Sequence, residues 1–224
     1  MTWFILSLIA ILFWSGSDLF SKLGSRPDDK YSHWKMVMAV GVVMGAHAFF
    51  LIATGTPFSI SDIVTYLPAS AMYILSMILG YAGLRYIELS ISSPICNSSG
   101  ALVAVLAILF DGIAGYSPLA LFAVALVCVG AVGLGVVEAR EDDELRIERQ
   151  KASNYKYTKS FMALAMPAAY CVLDAAGTFA DSRVLEIISR TVEDYEASAN
   201  VAYELTFLLA AVVCFVYVVL IKRT

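Results

Sequence analysis

The chain consists mainly of long apolar stretches separated by short polar connections, a pattern typical of membrane-spanning helices. Seven stretches approach the roughly 20 apolar residues that a helix needs to cross the hydrocarbon core of a bilayer. Each stretch is continuous rather than alternating, which favours helices over the strands of a membrane barrel. The predicted spans lie near residues 2–23, 34–54, 64–86, 89–110, 117–137, 160–183 and 198–221. The pattern therefore predicts an all-α integral membrane protein, a polytopic helical bundle.

One connection differs from the others in length and charge. Residues 138–159, EAREDDELRIERQKASNYKYTK, are strongly charged and cannot lie in lipid. They separate five apolar stretches from the last two, so they form the predicted boundary between a unit at 1–137 and a unit at 160–224. We interpret the segment as a solvated linker or a surface helix rather than a specific binding tail.

Composition agrees with a membrane protein and excludes several other classes. The chain is 60% hydrophobic and 15% charged, whereas soluble domains are about 45–50% apolar and about 25% charged. A net charge of −4 without a basic cluster predicts no nucleic-acid partner. The N-terminus lacks the basic region and cleavage site of a signal peptide, so we expect the first stretch to be a retained helix. The four cysteines lie within apolar runs without metal-ligand spacing, and no cofactor is predicted.

Basic residues in the connections are unevenly divided between the two predicted sides of the membrane. One side holds Arg26, Lys30, Arg85, Lys222, Arg223 and the six basic residues of 138–159, and the other holds Arg183 and Arg190. Because basic connections are retained in the cytoplasm, the segment 138–159 is predicted to be cytoplasmic and the N-terminus to lie outside. The predicted location is the cytoplasmic membrane.

Small residues recur where membrane helices would pack closely. Gly41 and Gly45 have GxxxG spacing, Gly80 and Gly83 lie in the third stretch, and Gly130, Gly133 and Gly135 lie in the fifth. Such residues allow the backbones of neighbouring membrane helices to approach each other. They predict packing and carry no functional information on their own.

Asp174 is the polar residue that is hardest to explain by structure alone. It lies about 14 residues, or roughly 21 Å, into the sixth predicted helix. No basic residue occurs within two turns before it or one turn after it. An unpaired carboxylate in the membrane costs about 2.5–3.5 kcal/mol. We therefore expect Asp174 to face a cavity, a basic partner or a ligand, with a hydrogen bond to another helix as the alternative.

The first helix turns polar before it ends, in FWSGSDLFSK. Asp18 precedes Lys22 by four residues, so one interpretation is an interfacial ion pair with the lysine reaching outward. The other is that Ser15 and Asp18 face a polar cavity. Aromatic faces at Trp14 and Tyr170 would then suit a cationic ligand.

A second polar patch opens the fourth helix, in SSPICNSSG. Pro94 frees a backbone carbonyl, and Asn97, Ser98 and Ser99 can hydrogen-bond either a neighbouring helix or a ligand. His47 lies deep in the second helix, where a hydrogen-bonded core histidine is commoner than a proton relay. We predict that the patch at Asn97, Ser98 and Ser99, the Ser15–Asp18 face and Asp174 line one central cavity.

These residues resemble the EamA-like branch of the drug/metabolite transporter superfamily. FWSGSDLFSKLG is similar to the opening helix of that family, and GLRYIELSISSPICNSSGALVAVLAILFDG resembles its third and fourth helices. The resemblance implies two five-helix repeats in inverted topology around a central cavity. The chain would then hold one full repeat and the first two helices of the second. Three further helices are expected, so the sequence is predicted to be truncated or completed by a second chain, including a homodimer.

Two further expectations come from the resemblance. The family keeps its N-terminus in the cytoplasm, whereas the basic residues here predict the reverse. Laying one repeat on the other places Lys22 on Asp181 and Lys35 on Glu204. These residues are therefore candidates for charge pairs between helices.

The main functional hypothesis is a gradient-driven transporter of a small metabolite or drug-like solute, working by alternating access. No phosphate-binding loop occurs, which argues against ATP drive. No HExxH, His cluster or Ser/His/Asp pattern occurs, so an enzyme is not predicted. The alternative is a membrane scaffold, or a fragment that assembles with a partner chain.

Overall fold

The prediction of an all-α membrane bundle is confirmed. The computed structural model describes residues 2–140, 144, 161–190 and 193–223, and the regular elements of that part of the chain are all helical. The helices are α1 (Thr2–Gly24), α2 (Ser32–Ala53), α3 (Ile60–Leu84), α4 (Leu89–Cys96), α5 (Ser99–Asp111), α6 (Pro118–Ala139), α7 (Phe161–Ile188) and α8 (Tyr195–Phe215), which continues as a π-helical segment (Val216–Ile221).

Six helical segments of the described chain are long and apolar enough to cross a membrane. One of them, Leu89–Asp111, comprises α4 and α5. The predicted sixth span, 160–183, corresponds to α7, a helix of 28 residues that is not among these six. Most of the charged segment at 138–159, and with it the predicted boundary between repeats, lies outside the described residues.

Helices α2 and α8 pack antiparallel, and Gly41 and Gly45 of α2 allow the two backbones to lie close together. A Cβ atom added at Gly41 would lie 2.6 Å from the Cβ of Ala211 and closer still to the carbonyl oxygen of Phe207. One added at Gly45 would lie 2.9 Å from the Cβ of Leu208. The packing role predicted for the GxxxG pair is therefore confirmed.

Helix α3 occupies the centre of the bundle between α7 and α8. It runs antiparallel to α7, and a Cβ added at Gly80 would lie 2.8 Å from the ring of Tyr170. It runs parallel to α8, where the ring centroids of Tyr73 and Tyr203 are 5.5 Å apart. Because α7 packs along this central helix, Asp174 in the middle of α7 lies within the bundle.

Helices α1 and α6 lie at the periphery and expose apolar side chains. Phe13 on α1 is 73% exposed and Leu119 on α6 is 78% exposed, as suits contact with lipid chains. A Cβ added at Gly130, Gly133 or Gly135 meets nothing within 4 Å. The close packing predicted for this α6 cluster is thus wrong for the described residues.

The alternating direction of the helices defines two ends of the bundle. The basic face holds the connections at 25–31 and 85–88, the end of α6 and the end of the π-helical segment. The acidic face, named for Asp111, Glu193 and Asp194, holds the connections at 54–59 and 112–117 and the described residues of the connection between α7 and α8. Helix α1 is fastened at the basic face, because Lys22 Nζ donates to the carbonyl oxygens of Leu84 and Ile87, both at 2.6 Å. Arg85 Nε donates in return to the carbonyl oxygen of Arg26 at 3.2 Å.

Candidate functional site: a polar cavity between α1, α4–α5 and α7

A cavity of about 470 Å³ lies between α1, the junction of α4 with α5, and α7. Its walls are formed by Ile11, Trp14, Ser15, Asp18, Ser93, Asn97, Ser99, Tyr170 and Asp174. A smaller space of about 70 Å³ adjoins it toward the basic face and reaches Ser21, Tyr81 and Ser92. Six of the seven residues predicted to bind solute or proton therefore meet in one place.

The break between α4 and α5 supplies one wall of the cavity. Pro94 lies inside α4, where it has no N–H to donate. The amide of Ser98 donates to the carbonyl of Ile95, three residues back, instead of the carbonyl of Pro94. This tighter turn interrupts the span, so that Ser93 and Asn97 before it and Ser99 after it all reach the cavity.

Asp18 is held by hydrogen bonds from the helix opposite. Ser93 Oγ donates to Asp18 Oδ2, and Asn97 Nδ2 donates to the same oxygen at 3.3 Å. Asn97 Nδ2 also lies 2.9 Å from Ser93 Oγ. Since Lys22 binds the carbonyls at the end of α3, Asp18 and Lys22 have different partners. The arrangement favours the cavity interpretation of Asp18 over the interfacial ion pair.

Asp174 faces the same cavity from the middle of α7. Ser99 of α5 lines the cavity together with it. One turn earlier on α7, the ring of Tyr170 packs over Gly80 of α3, where the missing side chain provides space for the ring. Trp14 from α1 completes the aromatic part of the wall.

The cavity is acidic. Its described lining includes two carboxylates, Asp18 and Asp174, and no lysine or arginine. The hydroxyl of Ser93 and the amide of Asn97 hydrogen-bond Asp18 without neutralising it. Two like charges in a low-dielectric site favour the binding of a proton or a cation between them.

Ser98 is the predicted site residue that the structure places elsewhere. It is buried, its hydroxyl donates to the carbonyl of Ile95 at 2.7 Å, and it lies 3.3 Å from Cys171 Sγ. The turn after α4 rotates Ser98 away from the cavity and toward an apolar groove of about 670 Å³ between α5, α6 and α7. Its neighbour Ser99 takes the cavity position instead.

The predicted pair of Lys22 with Asp181 is wrong. Lys22 binds carbonyls at the end of α3, whereas Asp181 accepts a hydrogen bond from Tyr66 near the start of the same helix. Leu84 and Tyr66 are 18 residues apart, so about 27 Å of helix separates the two charges.

The predicted pair of Lys35 with Glu204 is also wrong. Lys35 Nζ binds Asp29 at 2.7 Å, an interaction that lowers the pKa of the aspartate. Glu204 instead lies 2.8 Å from His47 Nδ1, and His47 is twelve residues, or about 18 Å, further along α2 than Lys35. His47 is thus hydrogen-bonded, as expected, but its side chain is 51% exposed, so the prediction of a core histidine is wrong.

Sequence reasoning did not single out Ser93, which also lines the cavity. Ser93 precedes Asn97 by four residues and shares its helix face, so helical spacing from Asn97 could have identified it. Ser99 was predicted as part of the polar patch and does line the cavity. It shares that wall with Asn97 only because of the turn that separates α4 from α5, since in an unbroken helix the two residues would lie on different faces.

Comparison of the chain with protein-family models, with curated proteins and with solved structures found no match. The resemblance to the drug/metabolite transporter superfamily therefore stays a prediction. The site itself, rather than kinship, carries the functional argument.

Proposed function

We propose that this protein is a gradient-driven transporter of a small solute and that the cavity between α1, α4–α5 and α7 is its binding site. The observation that carries the proposal is the meeting of Asp18, Asp174, Trp14 and Tyr170 in one cavity within the apolar part of the bundle. Acidic residues at this depth are costly and commonly lie on substrate or ion pathways.

The chemistry of the cavity favours a cationic solute or a proton. Asp18 and Asp174 offer negative charge, and the rings of Trp14 and Tyr170 can contact a cation through their faces. A volume of about 470 Å³ falls within the range of about 300–1,000 Å³ that is usual for small-molecule sites. A small amine or quaternary ammonium fits these features better than an anion or a sugar.

The helices around the cavity also suit a site that opens and closes. The α4–α5 span is discontinuous beside the cavity, as are many helices that carry transporter sites. Helix α1 is fastened at the basic face by Lys22, while its preceding turns, including Phe13, are largely exposed. Displacement of α1 about its fastened end would change access to Asp18 and Asp174.

Currents from proteoliposomes on a solid-supported membrane would test this function. Concentration jumps of tetramethylammonium, ethylamine and putrescine are compared with jumps of glucose and glutamate. We expect at least one cation to produce a current that is abolished by Asp18→Asn and preserved by Glu193→Gln, which changes an exposed carboxylate outside the cavity. A current for glutamate alone would contradict the proposed solute class. The absence of current and of binding for every compound would favour the scaffold alternative.

A further inference from the structure

Below the cavity, a row of polar side chains extends from Asp174 toward the acidic face. On α7, Asp174, Thr178 and Asp181 follow one another at intervals of four and three residues and so share one helix face. On α3, Asp62, Tyr66 and Tyr73 have the same kind of spacing. The two faces meet, because α3 and α7 pack antiparallel along their length.

Hydrogen bonds connect the two faces at successive levels. Tyr73 Oη donates to Thr178 Oγ1 at 2.9 Å, and Tyr66 Oη donates to Asp181 Oδ1. Along α7 each group of the row is about one helical turn from the next, and Asp174 is about 10 Å from Asp181. A gap of one helical turn is short enough for one bridging water to span.

The row ends at the acidic face with a group that joins α3 to α8. Asp62 Oδ2 accepts a hydrogen bond from the amide of Ser59 at 3.0 Å and from Ser198 Oγ at 2.8 Å. Asp62 and Ser198 are both buried. Asp62 lies one turn before Tyr66, so polar groups continue from the cavity to the first turn of α3.

Other titratable groups surround Asp174 and Asp181, the two carboxylates of the row on α7. The groups within electrostatic reach of Asp174 or Asp181 on the neighbouring helices are Tyr66, Tyr73, Cys96 and Tyr203, with Tyr170 and Cys171 on α7 itself. Asp18 and Ser99 share the cavity with Asp174. Arg183, the nearest base along α7, binds Asp111 of α5.

We propose that this row is the route by which protons pass between the acidic face and Asp174. Asp181 accepts a proton from water at that face. The hydroxyls of Tyr66, Thr178 and Tyr73, with bridging water, each accept one proton while releasing their own, and the last transfer protonates the carboxylate of Asp174. The net change is one proton moved inward, with no other bond made or broken. The inference deepens the proposed function, on which it rests, by identifying the coupling ion and the side from which it arrives.

Interhelical hydrogen bonding alone would also explain polar contacts between α3 and α7. The two roles differ in their consequences for rate. A purely structural contact affects stability and leaves the protonation rate of Asp174 unchanged. A conducting group controls that rate even where a conservative variant keeps the packing intact.

Time-resolved infrared spectroscopy of the full chain in nanodiscs would separate these roles. A light pulse releases protons from a caged compound, and the carbonyl stretch of protonated carboxylic acids is followed in time. The band that disappears in Asp174→Asn is assigned to Asp174. In Tyr66→Phe and Asp181→Asn we expect this band to appear about tenfold more slowly, equivalent to a barrier raised by about 1.4 kcal/mol.

Matched controls at the same end of the bundle are Tyr195→Phe and Glu196→Gln. They remove a hydroxyl and a carboxylate that hydrogen-bond each other outside the row, and both should protonate Asp174 at the wild-type rate. If Tyr66→Phe does not fold, Tyr73→Phe interrupts the row one level further in, with the same expected result. An Asp174 band that rises at the wild-type rate in the row variants would overturn the proposal, as would equal slowing in the controls.

The outcome is independent of the transport assay. Slowed protonation in the row variants of a protein that moves no solute would support the proton route and refute transport. Transport accompanied by unchanged protonation rates would refute the route alone.

Discussion

Replacement of Gly41 by alanine tests the central packing of the bundle. The new Cβ would lie 2.6 Å from the Cβ of Ala211 and closer to the carbonyl oxygen of Phe207, both on α8. Because carbon atoms in contact prefer separations of about 3.5–4.0 Å, α2 and α8 must move apart by about 1 Å. A gap of about 0.5–1 Å forfeits a quarter to a half of the attraction between facing atoms. Overpacking of this kind costs about 1–3 kcal/mol.

Gly133→Ala in α6 is the matched control. Its Cβ meets nothing within 4 Å, so the variant should only gain the helix propensity of alanine, at most about 1 kcal/mol. Unfolding in mixed micelles with increasing SDS, followed by circular dichroism, measures the difference in free energy. We expect Gly41→Ala to be less stable than Gly133→Ala by at least about 1–3 kcal/mol. Equal stability of the two variants would refute the close approach of α2 and α8.

Two further predictions concern the fastening of α1 and the orientation of the chain. Lys22→Met removes two hydrogen bonds of a buried ammonium group, and each such bond from a charged donor contributes about 1.5–3 kcal/mol. In thermal unfolding this variant should therefore be clearly less stable than the wild type, whereas the exposed control Lys30→Met should not. Equal unfolding midpoints for the two variants would contradict the contact. If the basic face is cytoplasmic, an impermeant thiol reagent applied to intact cells should label Gly115→Cys but not Lys30→Cys, and the reverse labelling would contradict the orientation.

The features of the fold that could be predicted are those that depend on the local sequence, namely the helices and one of their packing surfaces. Long apolar runs determine helices because the bilayer leaves no other way to satisfy the backbone. The spacing of Gly41 and Gly45 correctly predicted a packing surface. The same reasoning failed for Gly130, Gly133 and Gly135, since a glycine allows close approach without requiring a partner.

Most of the cavity could be predicted from the cost of burying polar groups. Burying the carboxylates of Asp174 and Asp18 in an apolar stretch costs free energy, so each residue implied polar surroundings. Both residues line the cavity. The choice between Ser98 and Ser99 could not be predicted. It depends on a turn of the backbone that shifts the helical phase by one residue after Asn97.

The predictions of the charge pairs Lys22–Asp181 and Lys35–Glu204 were wrong for a different reason. Laying one repeat on the other compares positions along two helices but does not give their height in the bundle. Lys22 lies at the basic face and Asp181 near the acidic face, so the opposite charges do not meet. Pairing across a bundle requires the direction of each helix, which follows only when the fold is known.

Proton-driven accumulation by the Asp174→Asn variant is the most direct test of the proposed role of Asp174 in coupling transport to protons. Asparagine keeps the size and hydrogen-bonding capacity of the side chain but cannot take up the proton. With the cation identified by the current assay, proteoliposomes carrying wild-type protein should accumulate it under an imposed pH gradient. The Asp174→Asn variant should retain exchange of that cation between the two sides, with normal protein levels in the vesicles, but lose accumulation. Full accumulation by Asp174→Asn would contradict the role of the cavity carboxylate in coupling.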